Sequence, residues 1–136
     1  MTSTRHIMAL CAAGLICAGS TATAQDMQAG ESEYMIACAV CHGESGKGAG
    51  PMTEYLSIEV PSLTTLAADN DGTFPYLEVF QVIDGRTGVR GHGGAMPVWG
   101  DRFSTGARGE YGPFGAEVVT RGRIAVLTDY LMSIQE

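Results

Sequence analysis

The sequence predicts an all-α fold in which three main helices are joined by long glycine-rich loops. Apolar residues recur at spacings of three and four in three separate segments, as one face of a helix requires. Most of the 19 glycines lie between those segments, where they interrupt regular structure. Runs with the period-two alternation of a β-strand are nearly absent.

The first helix is predicted from about Gly30 to Cys41, because Tyr34, Ala37, Cys38 and Cys41 fall on one helical face. Residues 25–29 before it are predicted to be a loose leader. The glycines from residue 43 to residue 50 predict a compact turning loop directly after the helix.

A second helix is predicted from Pro75 to Ile83, since proline suits the first position of a helix. The following Gly85 can adopt the left-handed conformation that ends a helix. Residues 88–115 are predicted to be loop, and Asp101–Gly115 within them a surface loop. The last helix has the clearest stripe of the three, and it consists of Ile124, Leu127, Leu131 and Ile134.

Residues 1–24 have the pattern of a cleaved secretory signal peptide: Arg5, an apolar stretch of about a dozen residues, and small residues ending at Ala24. The stretch is shorter than the roughly 20 residues that span a bilayer. We therefore expect one mature domain, residues 25–136, in the periplasm. The full chain has a net charge of −7, and an acidic surface excludes nucleic acid as the expected partner.

The motif "CAVCHG", residues 38–43, contains the candidate functional side chains, two cysteines and a histidine. A disulfide redox pair should follow a strand at the start of a helix, whereas these cysteines lie late in a helical segment. A structural zinc site needs four protein ligands, and the sequence contains no second cysteine pair. Both alternatives fit poorly.

Covalent haem attachment makes direct use of the spacing. Residues i, i+3 and i+4 share one helical face, so Cys38, Cys41 and His42 should point the same way. Each thiol can then form a thioether with a haem vinyl group, while His42 binds iron from one side. The C-x-x-C-H pattern is specific for c-type haem.

The second axial ligand of the iron is predicted to be Met96, in "GGAMPVWG". Met35 lies on the cysteine helix, on the same side of the ring as His42. Met96 follows a glycine-rich segment that can reach the opposite face, and Pro97 would stiffen it. His92 is the rival ligand.

With these residues in place, the mature chain resembles class I c-type cytochromes, the small bacterial periplasmic proteins with one haem. The resemblance rests on the motif "CAVCHG", on "GKGAGP", "FPYLEVFQVIDGR" and "MPVWG", and on the closing "LTDYLMSI". It implies an all-α cytochrome c fold around one covalent haem c, in which the first and last helices cross at a glycine. That role falls to Gly30, with Tyr34 and Tyr130 beside it.

The resemblance also implies further residues of the haem pocket. The carbonyl of Pro51 would accept a hydrogen bond from His42, and Leu63 and Trp99 would line the pocket. One of four arginines would pair with a haem propionate: Arg86, Arg90, Arg102 and Arg108.

The function implied is one-electron transfer between transient redox partners, by a carrier that is not itself an enzyme. Lys47 is the only lysine, so docking through a ring of lysines is not expected. The first alternative is a bound cytochrome subunit of a dehydrogenase or respiratory complex. The second is a ligand-binding or peroxidase-type haem protein in which Met96 leaves the iron.

Overall fold

The computed structural model describes residues 20–88 and 96–136, with side chains from residue 25 onward. Within these ranges the chain forms helices and single 3₁₀ turns and contains no β-strand, so the predicted all-α class is confirmed. The 3₁₀ turns are Thr53–Tyr55 and Ala68–Asn70. The α-helices are α1 (Ser20–Ala37), α2 (Ala39–His42), α3 (Tyr76–Asp84) and α4 (Trp99–Ser133).

Helix α1 crosses helix α4 at Gly30, as the resemblance implied. Gly30 is buried, and a Cβ atom built on it would overlap the backbone carbonyl of Val126 and lie 2.8 Å from Cβ of Tyr130. One turn further along α1, the ring of Tyr34 packs on that of Tyr130 with their centroids 5.3 Å apart. Only glycine therefore lets the two backbones approach this closely.

Helix α1 begins earlier than predicted and ends sooner. Residues 25–29 are helical, so the prediction of a loose leader is wrong. They contain neither glycine nor proline, and nothing in them interrupts the helix. At its other end α1 stops at Ala37, and Cys38 forms a turn before the short α2.

Helix α3 agrees with its prediction to within a residue. It runs from Tyr76 to Asp84, and Gly85 ends it in the left-handed conformation with φ 67°. The amide of Gly85 donates to the carbonyl of Gln81 at 2.9 Å. Val79 and Ile83 are buried from one face of this helix, which packs against α4.

Helix α4 contains a break at Gly112, where φ is 65° and ψ is 179°. We call residues 99–111 its first arm and residues 113–133 its second arm. The second arm buries Ile124, Leu127 and Leu131, which confirms the predicted stripe. It starts at Pro113, because proline fits the first turn of a helix and disfavours a helical conformation at the preceding residue.

The first arm is a structural difference from the sequence prediction, which assigned residues 101–115 to a surface loop. Phe103, Ser104 and Ala107 are buried along one side of it. Three glycines at positions 100, 106 and 109 hide the helical pattern in the sequence. Tertiary packing of Phe103 and Ala107 outweighs the low helix propensity of those glycines.

Residues 1–19 and 89–95 lie outside the described part of the chain. Most of the proposed signal peptide, residues 1–24, is therefore untested, as are His92 and Arg90. These remain predictions.

Replacing Gly30 with alanine should destabilise the protein, because the new methyl group meets the backbone of Val126, which cannot move aside as a side chain can. We expect the free energy of unfolding of the haem-loaded protein to fall by about 1–3 kcal/mol in urea titrations. The matched control is Gly122→Ala, since Gly122 is helical and has nothing within 4 Å of its added Cβ. That variant should gain up to about 1 kcal/mol. Equal stability of the two variants would contradict the proposed crossing.

Candidate functional site

The loop after α2 folds back and closes the end of that helix. Three successive carbonyls, of Val40, Cys41 and His42, accept hydrogen bonds from the amides of Met52, Gly50 and Gly48, at 2.9, 3.1 and 2.9 Å. The last carbonyls of a helix have no partner within it. These bonds therefore hold the cysteine and histidine segment in one conformation.

Two glycines make this closure possible. A Cβ atom on Gly50 would lie 2.6 Å from the carbonyl carbon of Cys41. Gly48 has φ 82° and lies against the backbone carbonyl of Val60. Any larger residue would push the loop away from α2.

His42 is buried, with 6% of its surface exposed, and a backbone carbonyl helps to orient its ring. Its Nδ1 lies 3.2 Å from the carbonyl oxygen of Pro61. A carbonyl can only accept a hydrogen bond, so Nδ1 carries a proton, and in the neutral ring the lone pair is then on Nε2. That is the form of imidazole that binds a metal ion.

The prediction for Pro51 is therefore wrong, because the carbonyl that the structure places against His42 is that of Pro61. Pro51 is exposed. The amides of Gly50 and Met52 on either side of it turn inward to the carbonyls of α2, which leaves Pro51 on the outer side of the loop. The chain returns to His42 only ten residues later.

Two cavities adjoin His42, of about 830 Å³ and about 360 Å³. Four residues line both of them: Cys38, His42, Pro61 and Met96. Cys41 lines the larger. Residues from three separate segments thus line the larger cavity, whose size and mainly apolar walls are those of a cofactor site.

The remaining predicted pocket residues lie on opposite sides of this space. Trp99 lines the larger cavity and Leu63 the smaller. The Trp99 ring packs on Phe103 with centroids 5.6 Å apart. The first arm of α4 thus supplies this wall of the larger cavity.

Of the three candidate propionate partners that the structure describes, Arg102 is the one at the cavity. It lines the larger cavity and stacks over Trp99, 5.3 Å from the ring centroid. Arg86 is instead paired with Asp84 and Glu117. Arg108 donates to Ser104 at 3.2 Å.

The cysteines do not have the character of a redox pair. Both are free thiols, and Cys38 is buried. Burial, with a smaller contribution from Cys41, raises the pKa of the Cys38 thiol to about 12. A dithiol exchange site needs the opposite shift, because the thiolate is the attacking group.

Tyr34 fixes the turn that follows His42. Its hydroxyl donates a 2.6 Å hydrogen bond to the carbonyl of Gly43, and its side chain is fully buried. Burial raises the pKa of Tyr34 well above its usual value. The bond ties the residue directly after His42 to α1, and through the Tyr130 ring to α4.

The sequence matches a family model over residues 25–110, and the family is described as "Cytochrome C oxidase, cbb3-type, subunit III". The match begins in α1 and ends just before the break at Gly112. The chain belongs to this family and is a c-type cytochrome. No curated protein and no solved structure gives a significant match to the chain.

A c-type cytochrome carries covalent haem c, and the residues of the cavities fit that group. Two free thiols, a histidine whose Nδ1 is held by a backbone carbonyl, and a methionine all line the larger cavity. Apolar side chains cover its walls, including Ile36, Val40 and Leu56. This resembles the environment of a flat apolar ring with a central metal ion.

Sequence reasoning missed Pro61 and the apolar residues near it, Leu56 and Ile58, which line the larger cavity. They lie in an irregular segment with no periodic pattern. The proline itself was the only available signal. Choosing between Pro51 and Pro61 required knowing which carbonyl the folded loop turns inward.

Substituting Tyr34→Phe should remove one of the two donors to the Gly43 carbonyl, which also accepts from the amide of Gly46 at 3.1 Å. We expect a loss of about 0.5–1.5 kcal/mol in the free energy of unfolding of the haem-loaded protein, measured by urea titration. Tyr55→Phe is the control, because Tyr55 is 78% exposed. It should stay within about 0.5 kcal/mol of the wild type. A Tyr34→Phe variant as stable as that control would show that the hydroxyl has no positioning role.

Proposed function

We propose that this c-type cytochrome is a periplasmic one-electron carrier, with one haem c joined to Cys38 and Cys41 and its iron held by His42 and Met96. The observation that carries this proposal is that these four residues line one cavity. His42 and Met96 also line the smaller neighbouring cavity. Bound haem c supplies a one-electron couple between ferrous and ferric iron.

The polypeptide supports each ligand by a different contact. The Pro61 carbonyl holds the His42 ring through Nδ1, which orients Nε2 and raises its basicity. Met96 packs against the hydrophobic core. Three other methionines have 41–47% of their surface exposed, namely Met35, Met52 and Met132. They are therefore weaker candidates for a ligand in the cavity than Met96.

A thioether ligand favours the ferrous form, and so does an apolar environment that disfavours the extra ferric charge. Fixed ligands on both faces keep the rearrangement on electron transfer small. These features support a role in one-electron transfer.

Periplasmic localisation rests on the sequence pattern of residues 1–24. In residues 20–88 and 96–136, no helix combines the length and the hydropathy that crossing a bilayer requires.

Substituting Met96→Ala tests the second ligand. We expect the ferric protein to lose the weak red absorption band of sulfur-bound haem, its reduction potential to fall, and imidazole to bind the iron at least about tenfold more tightly. Spectroscopy and redox titration measure all three. The control is Met52→Ala, because Met52 is exposed and lies on the outer loop.

Three unchanged properties in Met96→Ala would overturn methionine ligation and leave His92 as the ligand to test. If Met52→Ala lost the band and Met96→Ala kept it, the sulfur ligand would be Met52 and not Met96.

The second candidate function is that of a bound subunit in a redox complex. The family description names a subunit of an oxidase. Exposed apolar side chains also surround the larger cavity: Ile36 is 76% exposed, Val40 43% and Ile58 45%. A permanent interface would cover such residues, whereas the brief contacts of a carrier bury less surface.

Size-exclusion chromatography of the native periplasmic and detergent-solubilised fractions separates the two candidates. A carrier should elute at the size of the single chain. Elution together with a larger redox enzyme, stable to moderate salt, would instead establish the subunit role.

A further inference from the structure

An ion-pair cluster lies at the end of α3, outside the cavities described above. The Arg86 guanidinium turns back over Gly85, and its Nε and Nη2 donate to the two carboxylate oxygens of Asp84. Its Nη1 and Nη2 also donate to the two oxygens of Glu117, at 2.7 and 3.3 Å. We call Asp84, Arg86 and Glu117 the clamp.

The clamp joins two helices that are far apart in the sequence. Asp84 is the last residue of α3, and Glu117 lies in the second arm of α4. The Asp84 side chain is 9% exposed and that of Arg86 is 23% exposed, so water screens their contact less than it does a surface pair. Planar bidentate contacts with a guanidinium also fix orientation.

The clamp remains charged over a wide pH range. Hydrogen bonds from Arg86 and then Arg121 lower the pKa of Glu117 to about 2. A carboxylate with a lowered folded-state pKa contributes stability that is present above its unfolded pKa and is lost as pH falls through the folded value. Glu117 is therefore ionised and paired at neutral pH.

The first turn of α4 rests directly on the clamp. Gly100 is buried there, and a Cβ atom built on it would overlap the Asp84 carboxylate and lie 2.5 Å from Nε of Arg86. A carboxylate beside the start of a helix also interacts favourably with the helix dipole. No side chain separates the helix backbone from the ion pair.

A second contact lies two residues earlier in the chain, at Val98. A Cβ atom on Gly85 would lie 3.3 Å from Cγ1 of Val98. Residues 98–100 are therefore packed against Gly85 and the clamp, and they directly follow Met96 and Pro97. The position of Met96 in the cavity wall thus depends on where this turn is held.

We propose that Arg86 is a positioning residue for the sulfur ligand: by joining Asp84 to Glu117 it seats the first turn of α4 and holds Met96 at the iron. This inference rests on the proposed ligation by Met96. It assigns Arg86 to ligand positioning and leaves the propionate side of the cavity to Arg102.

The test uses the haem-loaded protein and the variant Arg86→Gln, which keeps a polar side chain but loses the charge, the reach to Glu117 and the double fork. Arg121→Gln is the matched control, because Arg121 shares Glu117 as partner, at 2.7 Å, but is 67% exposed and lies one turn away on the same helix. Two readouts are measured at neutral pH: the red sulfur band of the ferric protein, and the dissociation constant of added imidazole, which competes with Met96.

We expect Arg86→Gln to keep its covalent haem, weaken the red band and bind imidazole about tenfold more tightly. Arg121→Gln should stay within about twofold of the wild type. Should Arg86→Gln not fold, Glu117→Gln removes the other partner and should tighten imidazole binding by at least about threefold.

Three results would overturn the inference. The first is that the wild type has the red band but Arg86→Gln matches Arg121→Gln in both readouts. That result would reject the positioning role of the clamp and would leave Met96 ligation intact. Unchanged imidazole binding in Glu117→Gln would do the same if Arg86→Gln cannot be obtained. A wild type without the red band would reject both the ligation and the clamp.

Discussion

The hydrogen bond from Nδ1 of His42 to the Pro61 carbonyl is the interaction on which the rest of the site depends. It decides which ring nitrogen carries the proton, and hence which one can bind iron. That bond exists because the glycine loop closes α2 with its own amides and because the following segment then returns to the histidine. A looser loop would leave the ring free to rotate, and the cysteines beside it would lose their common orientation.

The helices around this segment hold it from three directions. Tyr34 ties the turn after His42 to α1, and its ring contact with Tyr130 transmits that hold to the second arm of α4. The first arm supplies Trp99 on the far side of the larger cavity. Arg123 binds Glu33 of α1 through two 2.8 Å hydrogen bonds and stacks over Phe103, 3.9 Å from its ring centroid. One arginine thereby joins α1 to both arms of α4.

The break at Gly112 explains how one helix serves two purposes. The second arm packs along α1 and α3 to build the core, and the first arm turns away to form a cavity wall. The family match ends at residue 110, so the second arm falls beyond the matched range. Arg86 reaches across to Glu117 in that arm, and it couples the core helix to the turn that follows Met96.

Local patterns were sufficient for the helix class, for α3 and for the apolar stripe of the second arm, because periodicity reports directly on packing. The crossing at Gly30 came from the family resemblance. That Cys38, Cys41 and His42 lie at one cavity was predicted from spacing alone, since residues i, i+3 and i+4 share a helical face. The helical first arm could not be predicted, because its glycines disguise a pattern that only burial of Phe103 and Ala107 makes stable.

The sequence by itself determined the chemistry that this chain offers: two thiols, a histidine and a methionine in an acidic all-α domain. The tertiary structure decided which backbone groups serve that chemistry. Contacts between residues far apart in the chain placed Pro61 against His42 in place of Pro51. Contacts of the same kind put Arg102 rather than Arg86 at the cavity, and the ion pair beneath Gly100. Such contacts leave no periodic trace, because the energy that selects them comes from packing and from pairing of buried polar groups.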